Sequence, residues 1–190
     1  NYRHSFHAGN FADIVKHALL LWLMGERQGR GPLRVIDTHA GAGLYDLSDD
    51  ASRSREAEAG IERLMASDER PPLIEALARQ VMTLNPQGGA RFYPGSPLLV
   101  ARALEPDDGY LGFEMNPPVA DLLVAALAGH PQAQGRTGDG YDGVVGAARE
   151  HKSPLVLIDP PFEQPDDYLR SARTTLDLIA QDPGATVAIW

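Results

Sequence analysis

The segment Asp159-Pro160-Pro161-Phe162 places a carboxylate, two prolines and an aromatic ring directly after the apolar run 155–158. Proline has no N–H, so this stiff turn keeps its carbonyl oxygens available as acceptors. Asp159 and the Pro160 carbonyl can accept hydrogen bonds from the two N–H groups of an exocyclic amine, and Phe162 offers a face for base stacking. Held in this way, the amine's lone pair would point at a methyl donor, and positioning would supply most of the catalysis.

A glycine-rich turn and an acid suit a nucleoside-like methyl donor. The run 35–37 leads into Thr38-His39-Ala40-Gly41-Ala42-Gly43, where closely spaced glycines let the backbone approach a ligand. The third glycine of a dinucleotide fingerprint is missing, which disfavours a dinucleotide. Glu114 ends the next predicted strand, where an acid can accept hydrogen bonds from both ribose hydroxyls.

Each of these features has an ordinary structural explanation when it stands alone. The glycines can form a simple turn, Glu114 can be a solvated carboxylate, and a Pro-Pro turn can cap a strand without any ligand. Their combination at successive strand ends predicts an S-adenosylmethionine-dependent methyltransferase.

The amino-terminal segment is basic and aromatic. It reads Tyr2-Arg3-His4-Ser5-Phe6-His7 and leads to Asn10, a predicted N-cap for a helix running to about Gly25 that carries Lys16 and His17. Such a segment suits phosphate contact and base stacking, although a lone helical histidine such as His17 is more often packed or at the surface.

The distribution of charge supports the same segment. The formal net charge is −9, which is unusual for a nucleic-acid binder. Residues 1–34 carry five Lys and Arg against two acids, a balance of +3, and the remaining residues therefore carry −12. We expect any polyanion contact to fall on the amino-terminal face.

Alternating helices and strands predict a parallel sheet covered by helices on both faces. A subdomain of two helices, 57–65 and 73–84, is predicted as an insertion at about 46–90. The remaining predicted elements are strands at 33–38, 110–113, 133–137, 155–158 and 185–190, and helices at 96–104, 118–127, 143–150 and 168–180.

Composition limits the class of protein. A chain of 190 residues that is 43% hydrophobic can build one core of ordinary size. It contains no cysteine, which excludes disulfides and thiolate metal sites and fits the cytoplasm. We expect no secretion signal, no membrane span and no metal. The sequence stops at Trp190 inside a strand-like run, so we expect it to be truncated there.

Four segments together resemble the bacterial family that methylates adenine N6 of 23S ribosomal RNA. They are the opening Tyr2 to Asn10 with Lys16-His17, the turn Asp37 to Gly43, Tyr93-Pro94-Gly95-Ser96-Pro97, and Asp159 to Phe162. The resemblance runs along all 190 residues. It implies one Rossmann-like class I methyltransferase domain of the α/β class with a helical insertion, acting as a monomer on protein-free rRNA.

The resemblance also implies roles for individual residues. Asp159, Pro160 and Phe162 would be catalytic, and Tyr2, Arg3, His4, His7 and Lys16 would contact RNA. The implied cofactor-binding residues are His17, His39, Gly41, Gly43, Ser96, Glu114, Asp139, Gly140 and Asp159.

The chain departs from the family pattern at two places. Glu114 is followed by Met115-Asn116-Pro117-Pro118, where the family has a His-Pro step, and members usually continue well beyond Trp190. Two alternatives stay open from the sequence. One is an adenine-N6 methyltransferase that acts on a flipped DNA base, and the other is a catalytically silent RNA-binding module.

Overall fold

A five-stranded parallel sheet forms the centre of the protein. The computed structural model describes residues 7–48 and 55–190. The strands of the sheet are β1 (Arg34–Asp37), β4 (Gly109–Glu114), β5 (Ala133–Thr137), β6 (Leu155–Ile158) and β7 (Thr186–Ile189). The strand order is β5-β4-β1-β6-β7, and every predicted strand of this sheet is confirmed.

Helices cover both faces of the sheet. α1 (Phe11–Arg27), α5 (Ser96–Ala103) and α6 (Pro117–Leu127) contribute to one apolar layer, and α7 (Gly140–Ala148) and α8 (Asp167–Gln181) to the other. The alternation of side chains along β1 separates the two layers, since Val35 packs with the first and Ile36 with the second. The protein therefore has the Rossmann-like α/β fold that the sequence predicts.

A small antiparallel pair, β2 (Leu44–Asp46) and β3 (Phe92–Pro94), brackets the predicted insertion. Between these strands lie α2 (Arg55–Ala57), a π-helical segment (Glu58–Glu62), α3 (Arg63–Met65) and α4 (Pro72–Leu84). They share a third apolar cluster with α1 and α5. The sequence predicts the helices but neither the strand pair nor the π-helical segment.

The first helix begins as the sequence predicts. The Asn10 side chain accepts a hydrogen bond from the Asp13 backbone N–H at 2.8 Å, so Asn10 is the N-cap. The helix ends at Arg27 rather than near Gly25. Within residues 7–48 and 55–190, every helix is too short or too polar to span a bilayer.

Candidate active site

Acidic side chains meet at the carboxyl edge of the sheet. Asp37 ends β1 and Glu114 ends β4, while Asp159 directly follows β6 and Asp139 follows β5. Because β5, β4, β1 and β6 are neighbours and parallel, these four strand ends lie side by side. Open α/β sheets bind ligands at this edge.

Asp159 is held by a buried lysine on α1. Lys16 Nζ donates to Asp159 Oδ2 at 2.7 Å and lies 3.0 Å from Asp13 Oδ1. The Lys16 side chain is only 5% exposed. Burial acts to lower the pKa of Lys16, but Asp159 and Asp13 outweigh it and raise that pKa above its usual value. Lys16 is therefore a permanent cation beside the predicted catalytic carboxylate.

This position does not fit the prediction that Lys16 contacts RNA phosphates. Its ammonium group is enclosed and paired with two carboxylates, so it is not presented to a polyanion on the surface. Two other basic residues of this part of the chain also lie away from the site. Arg27 donates to Thr186 and the Ser153 carbonyl, and Arg34 donates to the Asp107 carbonyl. Both lie near strand starts, at the opposite edge, so Arg27 and Arg34 do not share one basic face with Lys16.

Asp37 is a buried carboxylate beneath the site. Ser96 Oγ donates to its Oδ2 at 2.6 Å, and Tyr110 Oη lies 3.3 Å from the same oxygen. The His39 backbone N–H donates to Oδ1 at 3.1 Å. Burial raises the pKa of Asp37 to about 6, although the hydrogen bonds from Ser96 and His39 act against it. The Ser96 hydroxyl is predicted to face a cofactor carboxylate, but in the structure it donates its hydrogen bond to Asp37.

Glu114 closes the glycine turn. Its Oε2 accepts from the Gly41 backbone N–H at 3.1 Å, and its Oε1 accepts from the Asn116 backbone N–H at 2.8 Å. Gly41 and Gly43 have positive φ angles of 67° and 78°, a conformation that favours glycine. The turn thus brings the backbone of Gly41 directly against Glu114 at the end of the neighbouring strand β4.

Asp139 and His39 meet around Tyr141. Asp139 caps α7 by accepting from the Tyr141 backbone N–H at 2.9 Å, and its other oxygen accepts from Arg170 at 2.8 Å. Partial burial acts to raise the pKa of Asp139, but Arg170 and the backbone donor outweigh it and lower that pKa. The His39 ring contacts the Tyr141 ring edge-on at 4.9 Å.

His39 and Gly140 complete this side of the edge. Burial lowers the pKa of His39 against the opposing charges of Asp159, Asp167 and Asp139, so the ring is neutral at pH 7. At Gly140 a Cβ would lie 2.0 Å from the Thr38 carbonyl oxygen. This close approach brings the start of α7 against the end of β1.

The turn after β6 has an unusual backbone. Phe162 has a φ of 52°, in the left-handed region that bulky residues rarely adopt. Its ring is half-buried and packs against Tyr168. The Gln164 backbone N–H donates to the Asp167 carboxylate at 3.1 Å, which ties the turn to the start of α8.

His17 is buried beneath the carboxyl edge of the sheet and is not exposed at that edge. The ring is buried, and its Nδ1 lies 2.7 Å from Tyr93 Oη. It follows Lys16 in α1 and packs against the insertion side of the protein. The structure therefore brings His39, Gly41, Glu114, Asp139, Gly140 and Asp159 to one edge and places His17 and Ser96 in buried positions behind it.

The predicted RNA segment is described only in part. Tyr2, Arg3 and His4 lie outside the described residues. His7 Nδ1 lies 2.9 Å from Glu56 Oε2, on α2 of the insertion. Hydrogen bonding to His7 lowers the pKa of Glu56.

Two glycines join this segment to the insertion. Gly60 departs from helical geometry, with φ −97° and ψ −107°, and a Cβ there would lie 2.2 Å from the Gly9 carbonyl oxygen. The same oxygen accepts from the Ile61 backbone N–H at 2.9 Å. The π-helical segment therefore contacts residues 9 and 10 at the start of α1, the helix that carries Lys16.

The donor set of this edge is not that of a metal centre. Across the two described ranges, no group of three or more His, Asp or Glu side chains is arranged to hold a metal ion. The edge instead offers separate carboxylates, each already engaged by one or two N–H donors or by a cation.

Comparison with known proteins assigns the chain to a family. Residues 30–190 match the model of the family described as ribosomal RNA large subunit methyltransferase D, RlmJ. The chain belongs to this family. The prediction of a ribosomal RNA large-subunit methyltransferase family is thereby confirmed, while the opening motif lies outside the matched range.

Two curated relatives of the RlmJ family are similar to the chain. Both are named ribosomal RNA large subunit methyltransferase J. The Escherichia coli (strain K12) protein is 37% identical over 171 residues, which cover 88% of the chain and 61% of that protein. The Haemophilus influenzae protein is 32% identical over 194 residues, covering 100% of the chain and 69% of the relative. The chain thus spans less than two thirds of the length of the first relative.

A solved structure supports the fold. The crystal structure of a Legionella pneumophila protein matches with a TM-score of 0.85 at 24% identity, covering 97% of the chain and 69% of that protein. At this identity the likeness establishes the fold alone.

Three site residues were missed from the sequence: Lys16 as the partner of Asp159, Tyr168 and Arg170. The i,i+3 spacing of Asp13 and Lys16 indicates that these two can pair on one helix face. Nothing in the sequence indicates that α1 brings Lys16 to the end of β6, 143 residues away. The only sequence signal for Tyr168 and Arg170 is their position in the first turn of the predicted helix that follows the Pro-Pro turn.

Proposed function

We propose that this RlmJ-family protein transfers a methyl group from S-adenosylmethionine to the N6 amine of an adenine in 23S ribosomal RNA. The observation that carries the proposal is the carboxylate of Asp159, held by Lys16 at 2.7 Å and followed by Pro160, Pro161 and the left-handed Phe162. The names of the two curated relatives support ribosomal RNA as the substrate.

The carboxyl edge fits a nucleoside-type methyl donor. Glu114 would accept hydrogen bonds from the ribose hydroxyls, and Asp139, ionised at neutral pH, would accept from the adenine amine. Neutral His39 beside Tyr141 adds an aromatic wall, and the turn at Gly41 allows close backbone approach. S-adenosylmethionine supplies a methyl group on a sulfonium, which needs an aligned lone pair as nucleophile.

Asp159 would act by positioning the target amine. Lys16 donates a hydrogen bond to Oδ2 of Asp159. Among the described residues, none donates to Oδ1. This second oxygen is therefore available to accept an N–H of the substrate. The Pro160 carbonyl would accept the second N–H. A neutral exocyclic amine is far too weak an acid to be deprotonated before attack, so Asp159 need not serve as a strong base. Phe162 would stack the base.

The RNA contact is assigned to Tyr2, Arg3, His4 and His7, without Lys16. We propose that the protein acts as a monomer on protein-free rRNA and that this contact depends on salt through Arg3 and its neighbours.

The test is transfer of a tritiated methyl group to unmodified 23S rRNA, with mass spectrometry of the modified nucleoside. Asp159→Asn keeps the shape of the turn but offers a weaker acceptor. Loss of a polar contact made in the transition state commonly costs about 10²–10³ in rate, so we expect a fall of that size in the single-turnover rate with RNA affinity little changed. Asp121→Asn, on the exposed side of α6, is the matched control and should keep the wild-type rate.

Other results would contradict the proposal in recognisable ways. Wild-type turnover by Asp159→Asn refutes the role of Asp159. Methylation of DNA with no methylation of rRNA identifies the DNA enzyme, and absence of S-adenosylmethionine binding by the wild-type protein identifies a silent RNA-binding module.

A further inference from the structure

Phe162 already has an aromatic neighbour on one side. Its ring centroid lies 4.4 Å from that of Tyr168, with 33° between the ring planes. This is a tilted stack rather than an edge contact, so Tyr168 covers much of one face of Phe162. A base that stacks on Phe162 must use the opposite face.

Tyr168 is exposed, but the start of the helix that carries it is fixed. It is the second residue of α8, and its side chain is 71% exposed. Its neighbour Asp167 is buried and accepts from Gln164, while Ser171 Oγ lies 2.9 Å from Tyr141 Oη. The start of α8 is thus attached to both the Pro-Pro turn and α7, which fixes the backbone that carries the Tyr168 ring.

The backbone conformation of Phe162 explains why its ring needs support from Tyr168. A left-handed conformation is unfavourable for a bulky residue and persists only where the surroundings hold it. Pro161 precedes Phe162 and restricts the backbone on one side, and the Tyr168 ring supports the Phe162 side chain on the other. Without Tyr168, the half-buried ring of Phe162 would be free to sample other rotamers.

We propose that Tyr168 is a positioning residue for the target base. It supports the ring of Phe162 and leaves only the face opposite Tyr168 for stacking, so that the base binds in one orientation with its amine at the acceptors. This inference rests on the proposed function, since it concerns how the same site receives its adenine.

The experiment compares Tyr168→Ala, Tyr168→Leu and Tyr168→Phe with the wild-type protein in single-turnover methyl transfer to unmodified 23S rRNA. Loss of the stacking of a base on an aromatic side chain commonly costs about tenfold to a hundredfold, and a displaced Phe162 would lose that stacking. We expect Tyr168→Ala and Tyr168→Leu to lose that much in rate at saturating RNA, with unchanged S-adenosylmethionine affinity by calorimetry. Tyr168→Phe should restore the wild-type rate because it keeps the ring.

Leu176→Ala provides the matched control. Leu176 is on the same helix and is similarly exposed, so its replacement should change neither rate nor melting temperature. Wild-type rates for Tyr168→Ala would overturn the inference. So would a loss in Tyr168→Phe equal to that in Tyr168→Ala, or a loss explained by weaker cofactor binding. Absence of methyl transfer by the wild-type protein would instead refute the proposed function before any variant is compared.

Discussion

Replacing Asp37 with asparagine should remove a pH-dependent loss of stability. Burial raises the pKa of Asp37 from 3.8 to about 6. The difference is about 2 pKa units, and each unit corresponds to about 1.36 kcal/mol, so the ionised carboxylate destabilises the fold by about 3 kcal/mol at neutral pH.

The sign follows from proton binding. Below about pH 4, Asp37 is protonated in both the folded and the unfolded protein and no penalty arises. Between about pH 4 and pH 6 the unfolded chain loses the proton first, so the folded state binds more protons and the free energy of unfolding falls as pH rises. Above about pH 6 the penalty is complete.

The groups that face Asp37 come from four elements. Ser96 on α5 and the His39 backbone lower its pKa, as does the charge of Lys16 on α1, whereas the charge of Asp159 after β6 raises it. Tyr110 on β4 lies 3.3 Å away. Removing the Ser96 hydroxyl should therefore raise the pKa of Asp37 further.

The assay is urea unfolding of wild-type protein and Asp37→Asn from pH 4 to pH 7.5. Subtracting the two free energies cancels the titrating groups that do not interact with Asp37. The advantage of Asp37→Asn over the wild-type protein should grow by about 3 kcal/mol across this range, whatever its starting value from altered hydrogen bonds. Ser96→Ala should move the midpoint of the change to higher pH. A difference that is flat with pH would refute the reasoning, since Asp37 would then titrate alike in both states.

Two further predictions follow from glycine packing and from Glu114. Gly60→Ala should lower the free energy of unfolding by about 3 kcal/mol, the upper range for an overpacked site, because its Cβ would clash with the Gly9 carbonyl. Gly146→Ala, in α7 with open space around it, should be neutral or stabilising in the same urea titration. Glu114→Ala should weaken S-adenosylmethionine binding by about 1–3 kcal/mol in calorimetry, and an unchanged affinity would mean that another residue holds the ribose.

The strands that are easiest to predict are short apolar runs bounded by turns. Leu155 to Ile158 is apolar throughout and buried throughout, as a central parallel strand requires. β2 was missed because three residues, Leu44 to Asp46, carry no periodicity, and their pairing with β3 depends on residues more than 40 positions away. The π-helical segment was missed because the apolar spacing of residues 57–65 is that of an ordinary helix, and only Gly60 indicated a departure.

The site could be predicted where it depends on strand ends and not where it depends on helix placement. Glu114 and Asp159 follow from the rule that parallel strands end at one edge. The basic, aromatic amino-terminal segment and its charge balance predict that Lys16 contacts RNA, yet its ammonium group is buried between Asp13 and Asp159. That outcome depends on how α1 crosses the sheet, which local sequence does not encode.

The central position of β1 has a consequence for synthesis on the ribosome. The residue before β1, Leu33, bonds to Asp108, 75 positions later, and Thr38 bonds to Leu157, 119 positions later. At roughly 5–20 residues per second, β1 waits about 4–15 s for its first strand partner and about 6–24 s for its second. Val35 and Ile36 have no sheet neighbour until β4 has been synthesised, and only one until β6 follows. Slow translation between β1 and β4 would lengthen the first interval and increase the exposure of the nascent chain to aggregation and its need for chaperones.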